Sequence, residues 1–261
     1  MQPKLVTEGK CLYCEKSISK SVFNKHLQAH LNEKIETNKP GKSFLIKVET
    51  EKAWGPMPYF LFLWMDGEAK LSVLDDFLRA IWLECCGHMS SFTKVGHKKV
   101  KGGMWNFFEA QELLEKGKTK EYEDLMELSK GELPQSRKVK ELFSKDLQID
   151  YLYDFGSSTA LLMSIVVEYP IKADQKVVLL SRNTIPDIKC QVCKKNMASK
   201  ICTAHEYDEN NLFCESCAKK HEKTCDDFAD YASLPLVNSP RAGGCAYEGG
   251  TIDIERDTRK V

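Results

Sequence analysis

What the chain lacks narrows its class before anything it contains. No apolar run approaches the ~20 residues a membrane-spanning helix requires; the longest is the seven-residue run 59–65. The first residues carry no apolar stretch of a secretory leader. Neither charge sign predominates, with 38 Lys and Arg against 38 Asp and Glu. No global field therefore draws the chain onto nucleic acid or an anionic membrane, and any such contact must come from a local patch. A P-loop, an HExxH helix and a Ser, His and acid arrangement are all missing. These absences predict a cytoplasmic protein with no membrane partner. An enzyme reading survives only as an unrecognised site in the core.

Cysteine is plentiful, with 11 in 261 residues. In a reducing compartment such thiols stay free, and their spacing here is that of metal ligands rather than of a disulfide framework. From Cys190 the order is Cys190-x2-Cys193, Cys202-x2-His205, Cys214-x2-Cys217 and His221-x3-Cys225. Two-residue spacing lets both side chains of a turn face one ion, and eight thiolate and imidazole ligands make two closed tetrahedral zinc sites. Few large apolar side chains accompany them, so the module 188–227 should depend on metal for its fold. Sequential or alternating pairing of the four ligand pairs both fit this spacing.

A second pattern, Cys11-x2-Cys14-x11-His26-x3-His30, occupies residues 1–31. Two His at i and i+4 share one helical face, as a common ion requires. The pattern resembles a C2H2 zinc finger, and in that resemblance Ile18 and Phe23 are its core hydrophobes. Base-reading positions would be Ser19, Val22 and Lys25, and one finger spans only about three base pairs. Residues 1–42 hold eight Lys, four Glu and no Arg. Without the bidentate guanine reader, phosphate or protein contact is the better expectation. The total expected is about three zinc ions.

Residues 32–42 read as a charged linker with Pro40 and Gly41, and 43–187 as the main core. Strands are predicted at 44–49, 59–65, 90–95, 104–107, 149–155, 159–169 and 176–181, from β-branched and aromatic content bounded by Gly, Pro or charge. A helix should begin at Ser72, capped with Asp75 as the partner of a capping box, and end at Gly87. Leu74, Phe77, Leu78, Ile81, Trp82 and Cys85 would form its apolar face. Further helices are expected over 107–129, broken near Gly117, and over 136–144. Without regular β-α alternation, the class is α+β: a mixed or antiparallel sheet with a few packed helices, flanked by small zinc modules. Residues 228–261 are a tail that docks back on the domain and carries Cys245.

Two stretches carry a family resemblance: FLFLWMDGEAKLSVLDDFLRAIWLECCGHMSSFTKVG at 60–96 and YLYDFGSSTALLMSIV at 151–166, supported by VVLLSRNTIPDIKCQVC at 177–193. Together they resemble the plasmid pRiA4b ORF-three-like family, an α+β domain of plasmid, transposon-associated and chromosomal proteins. Some members carry a Cys-rich module and a tail like LPLVNSPRAGGCAYEGG, here 234–250. Where the family often has acidic residues after the Gly of YDFG, this chain has Ser157, Ser158 and Thr159, which argues against an acidic site there. The C-terminal ligands also resemble B-box-like and MYND-like modules. That resemblance implies cross-bracing: Cys190, Cys193, Cys214 and Cys217 on one ion, and Cys202, His205, His221 and Cys225 on the other.

Asp154-Phe155-Gly156 matches a kinase metal triplet, but without its companion motifs it reads as a strand entering a turn. Cys85, Cys86 and His88 read as a helix end, with His88 favourably placed for the helix dipole. Lys94, Lys98, Lys99 and Lys101, with Lys25, form the candidate nucleic-acid surface, beside Trp105 and Phe107. The expected function is a non-enzymatic zinc-binding protein acting as an interaction module for a protein partner. The alternative is a nucleic-acid-binding protein of mobile-element type using the finger and the basic hairpin.

Overall fold

The computed structural model describes residues 8–50, 59–96, 104–129, 131–205 and 210–258. Its largest element is an eight-stranded antiparallel sheet in the order β2-β1-β8-β4-β3-β7-β6-β5. The strands are β1 (Glu8–Cys11), β2 (Ser17–Ser19), β3 (Pro40–Thr50), β4 (Phe60–Asp66), β5 (Ser90–Lys94), β6 (Gln148–Tyr153), β7 (Thr159–Ile171) and β8 (Val177–Asn183). The class is α+β and sheet-dominated, as the absence of β-α alternation implies.

The continuous apolar run at 59–65 has its reason in the sheet's two faces. Leu61, Leu63 and Met65 point into one core, with Phe44, Ile46 and Val48 of β3. Phe60, Phe62 and Trp64 point into the other. A strand covered on both sides cannot alternate apolar with polar. The cover on the second side is helix α1 (Phe23–Glu33), which buries Phe23, Leu27 and Leu31 completely. Those three side chains contribute roughly 5–9 kcal/mol of burial. Phe23 meets Phe62 and Phe60 at ring-centroid distances of 5.4 and 5.8 Å. The finger-like segment is thus continuous with the main sheet, through β1 pairing with β8 as well as through α1. The charged stretch 32–42 is correspondingly structured: it holds the end of α1, a 3-10 turn at Lys34–Glu36 and the start of β3.

Opposite α1, helix α2 (Leu71–Leu78) runs into a wider π turn at Arg79–Leu83. Its start differs from the sequence expectation. Lys70, not Ser72, is the N-cap, and no side chain caps the helix. The first amides go instead to neighbouring backbone, Leu71 to Arg137 O and Ser72 to Gln135 O, each at 2.9 Å. That frees Asp75 to be buried as an acceptor for Arg79 Nε (2.6 Å), Ser90 Oγ (2.6 Å) and Tyr151 Oη (2.7 Å). Helix α3 (Met104–Glu115) replaces the strand expected at 104–107; apolar density over four residues does not distinguish the two periods. Gly117, at φ 67°, separates α3 from α4 (Thr119–Ser129), and α5 (Val139–Leu142) is short.

The last third forms a second, small sheet, β10 (Leu212–Phe213), β9 (Lys200–Cys202) and β11 (Ser233–Pro235), with helix α6 (Glu215–His221). The tail then returns to the main core. Thr251 N donates to Ala80 O at 2.7 Å and Ser239 Oγ to Trp82 O at 2.7 Å, taking carbonyls that the π turn exposes. Gly250 is required for this approach, since a Cβ there would stand 2.6 Å from Ile81 O. Buried Arg182 completes the docking, donating to Asp253 Oδ2 (3.0 Å), Asn238 O (2.5 Å) and the Asp257 carboxylate.

Candidate metal centres

In the N-terminal centre, β1 ends at Cys11 and the following turn delivers Cys14. Glu15 N closes this knuckle on Cys11 O at 2.8 Å, with Glu15 at φ 61°. One turn of α1 separates His26 from His30. Cys14 Sγ lies 3.3 Å from His26 Nε2, and the two His Nε2 atoms are 3.2 Å apart. Bonds of about 2.3 Å to sulfur and 2.05 Å to nitrogen give tetrahedral edges of about 3.3 Å for N···N, 3.6 Å for N···S and 3.8 Å for S···S. Burial, then the charge of His30, lowers the pKa of His26, favouring the neutral imidazole that ligates metal.

In the C-terminal module the pairs interleave. Cys190, Cys193, Cys214 and Cys217 form one group, and Cys202, His205, His221 and Cys225 another; within each, all ligand atoms lie within 4.8 Å of one another. In the four-thiol group, Cys193 Sγ and Cys214 Sγ are 3.8 Å apart, a tetrahedral edge. Cys214 caps α6, where the Ser216 hydroxyl at 3.3 Å helps bring its thiol down to about 6. Burial in the first place pushes Cys217 up to about 12. Thiols this close oppose each other's ionisation, an opposition a dication would relieve.

The mixed group supplies the strongest test of fit. Cys202 Sγ and Cys225 Sγ lie 3.1 and 3.8 Å from His205 Nδ1. Phe213 stacks on His221 at 4.4 Å and Phe228 meets its edge at 4.9 Å. His221 Nε2 is buried with no hydrogen-bond partner. A buried imidazole nitrogen without a partner is costly. A metal ion within this group would relieve that cost.

A fourth Cys/His group also appears among the described residues: Cys85, Cys86, His88 and Cys245. Its first three members read in the sequence as a helix end. Helix geometry instead stops at Leu83, and His88 faces Cys86 and Asp154 rather than helix carbonyls. Asp154 sits in a turn, as expected, with φ 63° and its Oδ1 accepting from Gly156 N at 2.9 Å. Three cysteines left over from the expected ligand sets, Cys85, Cys86 and Cys245, are the signal the sequence holds for this group.

The proposed nucleic-acid residues are not gathered into one described surface. Lys25 is exposed on α1, Lys94 is half-buried on β5, and Lys98, Lys99 and Lys101 lie outside the described residues. Four finger-side lysines pair with acids: Lys10 with Glu15, Lys20 with Glu49, Lys34 with Asp174 and Lys42 with Glu168. No helix among the described residues is long and apolar enough to cross a membrane.

No protein-family model and no curated protein sequence matches the chain. Among solved structures, it is similar to the crystal structure of a protein of unknown function from Methanosarcina mazei Go1. The identity is 14%, over 54% of this chain and 67% of that one, with a TM-score of 0.34.

Proposed function

We propose that this is a non-enzymatic zinc protein whose closed metal centres hold a surface for a protein partner. Thiolate and imidazole are the donors zinc prefers, and four protein ligands per ion leave no position for a catalytic water. The motifs at 60–96 and 151–166 support reading the sheet core as similar to the plasmid pRiA4b ORF-three-like domains.

The observation that carries the partner reading is an apolar groove of about 670 Å³ between the sheet core and the C-terminal module. Ile185, Pro186, Ile188, Met197, Leu236 and Val237 line it, and its fixed charges are Lys200 and Glu215. One wall is built on residues flanking the ligand cysteines, so metal shapes it. An apolar segment of a partner protein suits this lining better than a phosphate backbone does. The ion-paired lysines of the finger side weigh the same way.

The test begins with native purification of the full chain, reading absorbance ratio and mass spectrometry of whatever accompanies it. A protein companion should persist at high salt and be lost when Met197 and Leu236 are replaced by Glu. Nucleic acid retained at low salt, with a steep salt dependence flattened by K98Q/K99Q/K101Q, would replace the protein reading with the nucleic-acid one.

A further inference from the structure

The end of the π turn, the β6–β7 turn and the C-terminal tail converge at one point on the surface. Gly87 takes φ 80°, and its amide donates to Glu84 Oε1 at 2.5 Å, reversing the chain between Cys86 and His88. The reversal places Cys86 Sγ 3.0 Å from His88 Nε2 and 3.7 Å from Cys85 Sγ. From the tail, Cys245 brings its Sγ to 3.6 Å from Cys86 Sγ across 159 residues of sequence. All four ligand atoms lie within 4.8 Å of one another.

We propose that Cys85, Cys86, His88 and Cys245 bind a fourth zinc ion, one that clips the C-terminal tail to the end of the α2 segment. The sulfur separations are near the ~3.8 Å edge of a tetrahedral zinc-thiolate site and far from the ~2.05 Å of a disulfide. The donor set, three thiolates and one imidazole, is soft and selects zinc over magnesium or calcium. Three thiolates around a dication leave about one negative charge, and a guanidinium paired with Asp154 lies beside it. Arg241 is 2% exposed and extends Nη2 to 3.7 Å from Cys85 Sγ and to 2.6 Å from Asp154 Oδ2. Thr159 Oγ1 (3.2 Å) and Ser157 O hold its other nitrogen. Its guanidinium is thereby fixed beside the ligand group before any metal arrives.

The site differs from the other three in its exposure: Cys86 and Cys245 lie at the surface, whereas most of the other thiol ligands are buried. Its ion should therefore exchange fastest with a chelator.

Zinc is counted per full-length chain, purified under reducing conditions, for wild type, C86S/C245S and H88A. Wild type should hold one zinc more than either variant, and a colorimetric chelator should release one rapid equivalent from wild type that both variants lack. Because the reading is a difference between proteins, it stands apart from the absolute number held by the other centres. The half-exposed His88 keeps the test informative if the double variant folds poorly. Equal counts in wild type and both variants, or a Cys86–Cys245 disulfide in the wild-type protein by non-reducing peptide mapping, would overturn the proposal.

Discussion

Removing metal from the C-terminal module should unfold that module and leave the eight-stranded sheet standing. Apart from ligands, its buried apolar cluster holds Phe213, Ala218, Phe228 and Ala232. The two Phe rings contribute about 3–6 kcal/mol together. A structural zinc contributes on the order of 10–16 kcal/mol at neutral pH. The module's strands have three, two and three residues, too short to persist alone. The main sheet, in contrast, has two apolar cores of its own. Hydrogen exchange read by mass spectrometry, with and without a strong chelator, separates the two regions. The amides of Ser199, Cys202 and Cys225, which bond to Phe213 O, Asn211 O and His221 O, should lose protection. Amides of β3, β4 and β7 should keep theirs. Equal protection of 199–225 in metal-free and metal-loaded protein would refute the reasoning.

Asp75→Ala should cost about 3–5 kcal/mol in urea denaturation, because it strips Arg79, Ser90 and Tyr151 of a buried acceptor; a loss under 1 kcal/mol would contradict that burial. Glu49 joins the finger to the sheet through Lys20 and pairs with Lys47 of its own strand, both at 2.5 Å. Burial opposes its charge, but the two lysines outweigh burial and hold its carboxyl below the ordinary value. That contribution is full above the ordinary glutamate range and is lost as pH falls through the depressed value. The Tm advantage of wild type over Glu49→Gln should therefore shrink on acidification, and an advantage independent of pH would count against the ion pairs.

Local chemistry made much of the molecule legible. Ligands two or three residues apart announce a knuckle, so the six ligand pairs could be named from spacing. Six of the seven expected strands appear in place, because β-branched and aromatic runs bounded by Gly, Pro or charge are a local signal. The exception at 104–107 was too short for its period to show. Ser72 followed by Asp75 satisfied the capping-box pattern, yet neighbouring backbone had already taken the helix's first amides, and the carboxylate was drawn into the core by Arg79 and Tyr151.

The sequence by itself determined twelve candidate metal ligands, that the class is α+β, and that the apolar run 59–65 is a strand. What buried its second face was decided only in three dimensions, since nothing in 59–65 names α1 as the cover. Tertiary structure also decided the alternating grouping of the C-terminal ligands, because two-residue spacing defines a pair but not which pairs share a centre. The same holds most strongly for Cys245. Its nearest partner, Cys86, lies 159 residues away and meets it only because Gly250 and Ser239 dock the tail against the π turn and Arg182 ties it to β8. Spacing encodes contacts within a turn; contacts between distant segments are set by which surfaces pack.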